Sequence, residues 1–286
     1  MTFMTEQRSI EARDRLLATA QQEFVSSADV VGLFLRGSLA AGSYDAYSDI
    51  DLGVVVKPEK YRWFIEHRRD LPRRWPGFLF NEWRPGARHC VSHFRSFVKI
   101  DIFYFSENDL PPSPWYTLPL RILFDPRGVI ERLVSASANL TFEVTDEDLD
   151  FSISKGLAAA HEAFRRTQRQ EVLFAQILLD ELRFHMIQAD DWLFQRTPRT
   201  QVFSKFDHRG SREVIHCLHA SFCNCNPEAL HRSLMGLCRL YRQQVEELHK
   251  KFKLSRSLQS DLEALDLILV TFAEPDSRTT PTGRVS

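Results

Sequence analysis

Residues 30–56 constrain the fold more than any other part of the chain, and they read VVGLFLRGSLAAGSYDAYSDIDLGVVV. The apolar run Val30–Leu35 predicts a buried strand, and Leu52–Val56 predicts a second one. Between the two runs lie a Gly37-Ser38 turn, several small residues and the sequence Asp49-Ile50-Asp51. The order of strand, turn, helix and strand predicts a sheet with helices packed against it.

The two acids of this stretch predict a cation site. Successive side chains of a strand alternate between its faces, so Asp49 and Asp51 point to the same side, about 7 Å apart. Two carboxylates at this spacing repel each other unless a cation lies between them. Hard oxygen ligands suit Mg²⁺ or Mn²⁺, and the backbone N–H groups of the Gly37-Ser38 turn can hold a phosphate.

A third acid occurs in the run Phe97–Phe105, whose alternating apolar residues predict a strand. Asp101 lies in this run between Ile100 and Ile102. A carboxylate buried among apolar residues is costly unless it is paired or binds a metal. The alternative is an acid on an edge strand that faces water.

The Gly-Ser turn followed eleven positions later by Asp-x-Asp resembles the nucleotidyltransferase signature of the DNA polymerase β superfamily. The resemblance implies an α+β catalytic domain, a mixed sheet with flanking helices. It implies that Asp49 and Asp51 bind Mg²⁺ and that Gly37, Ser38 and Ser48 hold the phosphates of a nucleoside triphosphate. As the third carboxylate, Asp101 would bind metal, accept the proton of the attacking hydroxyl, or both. Glu82 is an alternative base, and a solvated Asp-x-Asp turn is the alternative to the whole motif.

The second half of the chain predicts an all-α helical bundle, with helices at about 147–168, 171–195, 209–222, 227–252 and 256–273. Thr145–Asp148 predicts the N-cap of the first of these helices. The expected domains are a catalytic domain at 1–143, a helical substrate-binding domain at 144–275 and a disordered tail at 276–286. By its location between helices, Lys205 resembles a lysine that reaches the triphosphate in related two-domain enzymes, although an ordinary exposed lysine is the more frequent case.

Composition excludes several classes of protein. The net charge of −1 argues against a partner nucleic acid or an anionic membrane. The sequence contains no run of eighteen apolar residues, so no membrane-spanning helix is expected. The N-terminus lacks an apolar signal segment, so a cytoplasmic protein is expected. The five cysteines are expected to be free thiols. A zinc site is the less favoured interpretation of a cluster formed by His216, Cys217, His219, Cys223 and Cys225.

Over its whole length the chain resembles the small-molecule nucleotidyltransferases that inactivate aminoglycoside and lincosamide antibiotics. The resemblance implies transfer of a nucleoside monophosphate, with ATP as the expected donor and Mg²⁺ as cofactor, by a monomer or homodimer. Two alternatives stay open: an enzyme that modifies a protein, as in toxin–antitoxin systems, and a regulator that binds a nucleotide without turnover. Several acids of the helical half could face a polycationic acceptor or simply be solvated: Glu171, Asp180, Glu181, Asp190 and Asp191.

Overall fold

The computed structural model describes residues 5–271, and the chain divides into two compact units between Thr141 and Phe142. The predicted domain boundary at 143/144 falls two residues after this division. The tail predicted at 276–286 lies outside the described residues.

Within residues 5–141, the first unit contains a six-stranded sheet and four α-helices. The strands are β1 (Val30–Arg36), β2 (Ile50–Val56), β3 (Phe78–Glu82), β4 (His89–Phe94), β5 (Lys99–Ser106) and β6 (Arg121–Phe124). The helices are α1 (Glu6–Val25), α2 (Gly37–Ala41), α3 (Pro58–His67) and α4 (Val129–Ser137).

The strand order across the sheet is β3-β4-β5-β2-β1-β6. β2 and β5 run parallel, whereas the other neighbouring strands are antiparallel. The sheet is therefore mixed, as predicted. The connection between the two parallel strands contains α3 and the β3–β4 hairpin.

The two faces of the sheet are covered differently. Ile100, Ile102 and Tyr104 of β5 are fully buried in the core formed with α1 and α3. On the opposite face, α4 packs on Phe34 and Val55, near the end of β2. Because side chains alternate along a strand, Asp51 of β2 and Asp101 of β5 lie on the same face as α4. They lie near the beginnings of their strands, whereas α4 packs near the end of β2.

The sequence patterns do not predict the strand β4, which precedes the predicted strand Phe97–Phe105. Its sequence, HCVSHF, carries polar side chains on both faces and gives no clear alternation. The neighbouring β5 begins at Lys99 rather than at Phe97, because Phe97 has a left-handed backbone (φ 59°) and forms the tight turn from β4.

The second unit is helical, as predicted, with α5 (Asp146–Gln168), α6 (Val172–Leu193), α7 (Phe206–Arg209), α8 (Arg212–Ser221), α9 (Pro227–Phe252) and α10 (Leu258–Thr271). Thr145 caps α5 in a reciprocal capping box with Asp148, which confirms the predicted helix start. Leu182, Leu234 and Leu237 are among the fully buried residues of the core that these helices share. Within residues 5–271, no helix is both long enough and apolar enough to cross a membrane.

The close approach of α5 to α9 gives a test of the packing in the second unit. A β-carbon at Gly156 of α5 would overlap the phenol ring of Tyr241, which is 1% exposed and cannot move aside. Alanine in place of glycine stabilises a helix by roughly 1 kcal/mol, but the clash with Tyr241 outweighs this gain. We therefore expect Gly156→Ala to destabilise the protein by about 1–3 kcal/mol in total. The measurement is the thermal unfolding midpoint of the full chain.

Gly236 of α9 is the matched control. A β-carbon there meets no other atom within 4 Å, so Gly236→Ala gains helix propensity without a clash. We expect this variant to be stabilised by about 0.5–1 kcal/mol. A Gly156→Ala protein as stable as the wild type would contradict the described contact with Tyr241.

Candidate active site

Three carboxylates meet at the beginnings of the two parallel strands. In the β2–β5 pairing Asp51 lies opposite Asp101, and Ile50 lies opposite Ile100. Asp49 directly precedes β2, so it shares a face with Asp51. Carboxylate oxygens of Asp49, Asp51 and Asp101 lie within 4.8 Å of one another. Among residues 5–271 no other trio of acids, histidines or cysteines converges in this way.

The crowding of these acids changes their proton affinity. Burial, followed by the negative charges of Asp49 and Asp101, raises the pKa of Asp51 to about 6. Burial also raises the pKa of Asp101, although the neighbouring Lys99 opposes that shift. This group of acids therefore has a high density of negative charge when it is ionised, and such a density attracts a cation.

Lys99 is the site residue that sequence reasoning missed. Its ammonium nitrogen lies 2.6 Å from Asp49 Oδ2 and 3.0 Å from each carboxylate oxygen of Asp101. Burial alone would lower the pKa of Lys99, but the hydrogen bonds and charges of Asp49 and Asp101 raise it. Strand alternation could have found this residue, since Lys99 precedes Asp101 by two positions and so shares its face.

The three carboxylates fit a hard divalent cation. They offer oxygen ligands from three side chains, and a positive group, the Lys99 ammonium, already bridges two of them. Oxygen-only donor sets of this kind suit Mg²⁺ and Mn²⁺ better than softer metals. Asp49, Asp51 and Asp101 are thus the residues that would hold the ion.

The Gly37-Ser38 turn packs directly against this acidic group. β1 ends at Arg36 and α2 begins at Gly37, whose backbone is left-handed (φ 64°). A β-carbon at this position would collide with Asp51 Oδ2. Glycine is needed at residue 37 for both reasons. The predicted phosphate-binding turn therefore adjoins the predicted metal site.

Comparison with known proteins assigns the class of this domain. Residues 17–111 match the family model of the nucleotidyltransferase domain. The chain contains a nucleotidyltransferase domain. The match covers about a third of the chain and includes Gly37, Ser38 and all three acids. It confirms the nucleotidyltransferase resemblance inferred from the sequence. No curated protein matches the chain.

Three solved structures resemble the nucleotidyltransferase chain at low identity. An aminoglycoside 6-adenyltransferase from Bacillus subtilis is 12% identical, with 95% of this chain and 100% of that chain covered and a TM-score of 0.46. A nucleotidyltransferase-like protein from Exiguobacterium sibiricum is 15% identical, with 91% and 90% covered and a TM-score of 0.42. The CD-NTase CdnG of Bradyrhizobium diazoefficiens, in complex with GTP, is 11% identical, with 92% and 85% covered and a TM-score of 0.30. These values are too low to transfer a substrate.

Two further predicted residues of the nucleotidyltransferase domain have other contacts. The Ser48 hydroxyl accepts a hydrogen bond from the Asp45 backbone N–H and donates one to the Asp45 carboxylate, so it closes the loop before Asp49. Glu82 pairs with Val91, which in turn pairs with Asp101, so Glu82 lies two strands from the acids, a distance of about 10 Å. Its carboxylate contacts His93 Nε2 at 3.3 Å.

The remaining predicted residues belong to the helical unit. Lys205 is exposed and has a left-handed backbone (φ 55°) directly before α7. In the Cys/His segment 216–225, His219 contacts Asp207 at 2.8 Å and the Cys217 thiol donates to the Gly236 carbonyl. This segment is not among the groups of converging ligands within residues 5–271.

Arginines neutralise most of the acids that the sequence offered for a polycationic acceptor. Asp190 and Asp191 are buried and both contact Arg196, and Asp191 also contacts Arg209. Glu171 pairs with Arg166 and with Arg169, and Asp180 pairs with Arg183. Arginines of the helical unit therefore largely neutralise the negative charges of these four acids.

The raised pKa of Asp51 predicts a pH-dependent cost in the metal-free protein. A carboxyl group whose folded pKa is raised destabilises the fold once it ionises, so the cost is complete above about pH 6 and disappears toward the unfolded pKa near 4. We expect Asp51→Asn to stabilise the protein by roughly 1–3 kcal/mol at pH 8 in EDTA and by about half as much at pH 5. Thermal unfolding midpoints measure the difference.

The control for this prediction is Asp70→Asn, which removes an exposed carboxylate paired with Arg73. It should change the midpoint little at either pH. An Asp51→Asn protein that is less stable than the wild type at pH 8 in EDTA would show that ionised Asp51 is not a cost to the fold.

Proposed function

We propose that this nucleotidyltransferase transfers a nucleoside monophosphate from a nucleoside triphosphate, with ATP as the expected donor, to a hydroxyl group of a small molecule. The reaction is proposed to depend on Mg²⁺. One observation carries the proposal: three carboxylates converge within 4.8 Å beside the glycine turn, inside the matched nucleotidyltransferase domain.

In this proposal the acids bind the metal ion and the Gly37-Ser38 turn binds the triphosphate. Asp49 and Asp51 hold the Mg²⁺ ion together with Asp101. When bound, the ion offsets negative charge on the α-phosphoryl group and on the departing pyrophosphate. Gly37 and Ser38 bind the triphosphate through their backbone N–H groups and the serine hydroxyl. Ser48 shapes the approach to Asp49, and Lys205 is kept as a candidate phosphate ligand from the helical unit.

Asp101 is the proposed proton acceptor. Its raised pKa makes it a better base than an exposed aspartate. The proton of the acceptor hydroxyl passes to the carboxylate as the oxygen attacks the α-phosphorus. The bond between the α-phosphorus and the oxygen bridging to the β-phosphorus breaks, and pyrophosphate departs with that electron pair.

The proposal also names the class of molecule that carries the accepting hydroxyl. The net charge of −1 favours a small molecule over a nucleic acid, and the resemblance favours an aminoglycoside or a lincosamide. Arginines already neutralise Asp190 and Asp191, so these acids are poorly suited to a polycation. A lincosamide, which carries less charge, is therefore tested beside the aminoglycosides.

The assignment of the acids predicts which variants lose transfer. Asp49→Asn and Asp101→Asn should each lower the rate of pyrophosphate release by about 10²–10³-fold or more, because charge stabilisation and proton acceptance are lost. Glu82→Gln should stay within a few-fold of the wild type, since Glu82 lies two strands away. The measurement is release of pyrophosphate from labelled ATP with Mg²⁺, on variants whose circular dichroism matches the wild type.

The same assay with a panel of acceptors tests the function itself. Aminoglycosides, lincosamides and candidate protein acceptors are supplied in turn, and the labelled product is identified by mass. Label on a small molecule supports the proposal. Label on a protein would instead select the protein-modifying alternative, and triphosphate binding with no transfer would select the regulator. Loss of transfer in Glu82→Gln but not in Asp101→Asn would move the base to Glu82.

A further inference from the structure

Strand register places the ammonium of Lys99 between two of the three acids. Lys99 and Asp101 share a face of β5, and Asp49 lies beside Lys99 because the next residues, Ile50 and Ile100, are paired. The distances from Lys99 Nζ are 2.6 Å to Asp49 and 3.0 Å to Asp101. The ammonium therefore lies where the two parallel strands begin.

The contact differs from an ordinary surface ion pair. One ammonium group contacts two carboxylates, and the side chains are only 35% exposed for Lys99 and 17% exposed for Asp101. Three like charges within 4.8 Å would repel one another if no cation lay among them. Lys99 supplies that cation from within the chain.

A divalent ion at this place needs the same oxygens. The two lone-pair-bearing oxygens of Asp101 both accept from Lys99, and one oxygen of Asp49 does so as well. An ammonium at 2.6–3.0 Å occupies one lone-pair site of each of these oxygens, and its charge repels a metal ion that approaches them. The two cations therefore compete for one set of ligands.

We propose that Lys99 is a built-in cation that holds Asp49 and Asp101 together in the metal-free enzyme and leaves them when the divalent ion binds. Lys99 is thus a positioning residue for the metal ligands. The flexible four-carbon stem of a lysine permits this movement. This inference rests on the proposed function, because it concerns the metal of the same site.

The first consequence is a gain in metal affinity when the ammonium is removed. Lys99→Met keeps an apolar stem of similar length, so the packing of the stem is retained. We expect Lys99→Met to bind Mn²⁺, in the absence of any nucleotide, about tenfold more tightly or better, since a competing like charge is gone. Calorimetric titration of the full chain with Mn²⁺ measures the affinity.

The second consequence concerns stability. In EDTA, Lys99→Met should unfold at a lower temperature than the wild type, because its acids lack a cation. Saturating Mn²⁺ should remove that difference. Lys60→Met is the matched control, since Lys60 also contacts a carboxylate, that of Asp29 at 3.4 Å, on another part of the domain. It should change neither the Mn²⁺ affinity nor the response to Mn²⁺.

Chemical labelling of the wild type tests the movement even if the variant does not fold. Acetylation of Lys99, quantified by mass spectrometry, should increase several-fold when Mn²⁺ is added without nucleotide, whereas acetylation of Lys60 should stay constant. Unchanged Lys99 labelling in a protein that calorimetry shows to be loaded with Mn²⁺ would overturn the proposed release. Equal Mn²⁺ affinity of Lys99→Met and the wild type would overturn the competition and leave the proposed function intact.

Failure of the proposed function has a different signature. If neither the wild type nor Lys99→Met binds Mn²⁺, both the metal-dependent reaction and this inference are wrong. If Lys99→Met binds Mn²⁺ more tightly and Lys99 labelling rises with the metal, the inference holds whichever acceptor the enzyme uses.

Discussion

The parallel pairing of β2 with β5 is the constraint on which the site depends. Ile50 and Leu52 of β2 and Ile100 and Ile102 of β5 are fully buried on one face of the sheet. Their burial fixes the register, since a slip of one residue would turn apolar side chains away from the core. The same register brings the residues between them, Asp51 and Asp101, side by side on the other face. The hydrophobic core thus determines the spacing of the acids.

Much of this site could be predicted from local sequence. The strands, the glycine turn and the three acids each have a signature of a few residues, and the structure brings these acids together. The contact between Lys99 and Asp49 could not be predicted in that way. It depends on which residues of two distant strands lie opposite each other, and a lysine at a strand end is usually solvated.

The strand that was missed shows the same limit. β4 has polar residues on both faces, and these residues have partners on β3. His93 contacts Glu82, and the Ser92 hydroxyl donates a hydrogen bond to the Asn81 side chain. These contacts make the polar side chains compatible with a strand, but no local period reveals them. Without β4, the separation of Glu82 from Asp101 could not be known, and Glu82 therefore stayed an alternative base. The spacing of residues along the chain likewise does not predict that Asp190 and Asp191 form buried ion pairs with Arg196 and Arg209.

The pairing of Asp51 with Asp101 has a further consequence for how the domain forms. These residues are about fifty positions apart, and α3 and the β3–β4 hairpin lie between β2 and β5 along the chain. Closing a loop of this length carries an entropic cost that local contacts do not offset. A chain leaving the ribosome therefore exposes Asp49 and Asp51 well before Lys99 is available to neutralise them. Docking of β5 brings a third carboxylate, Asp101, and the Lys99 ammonium to the acidic pair at the same time.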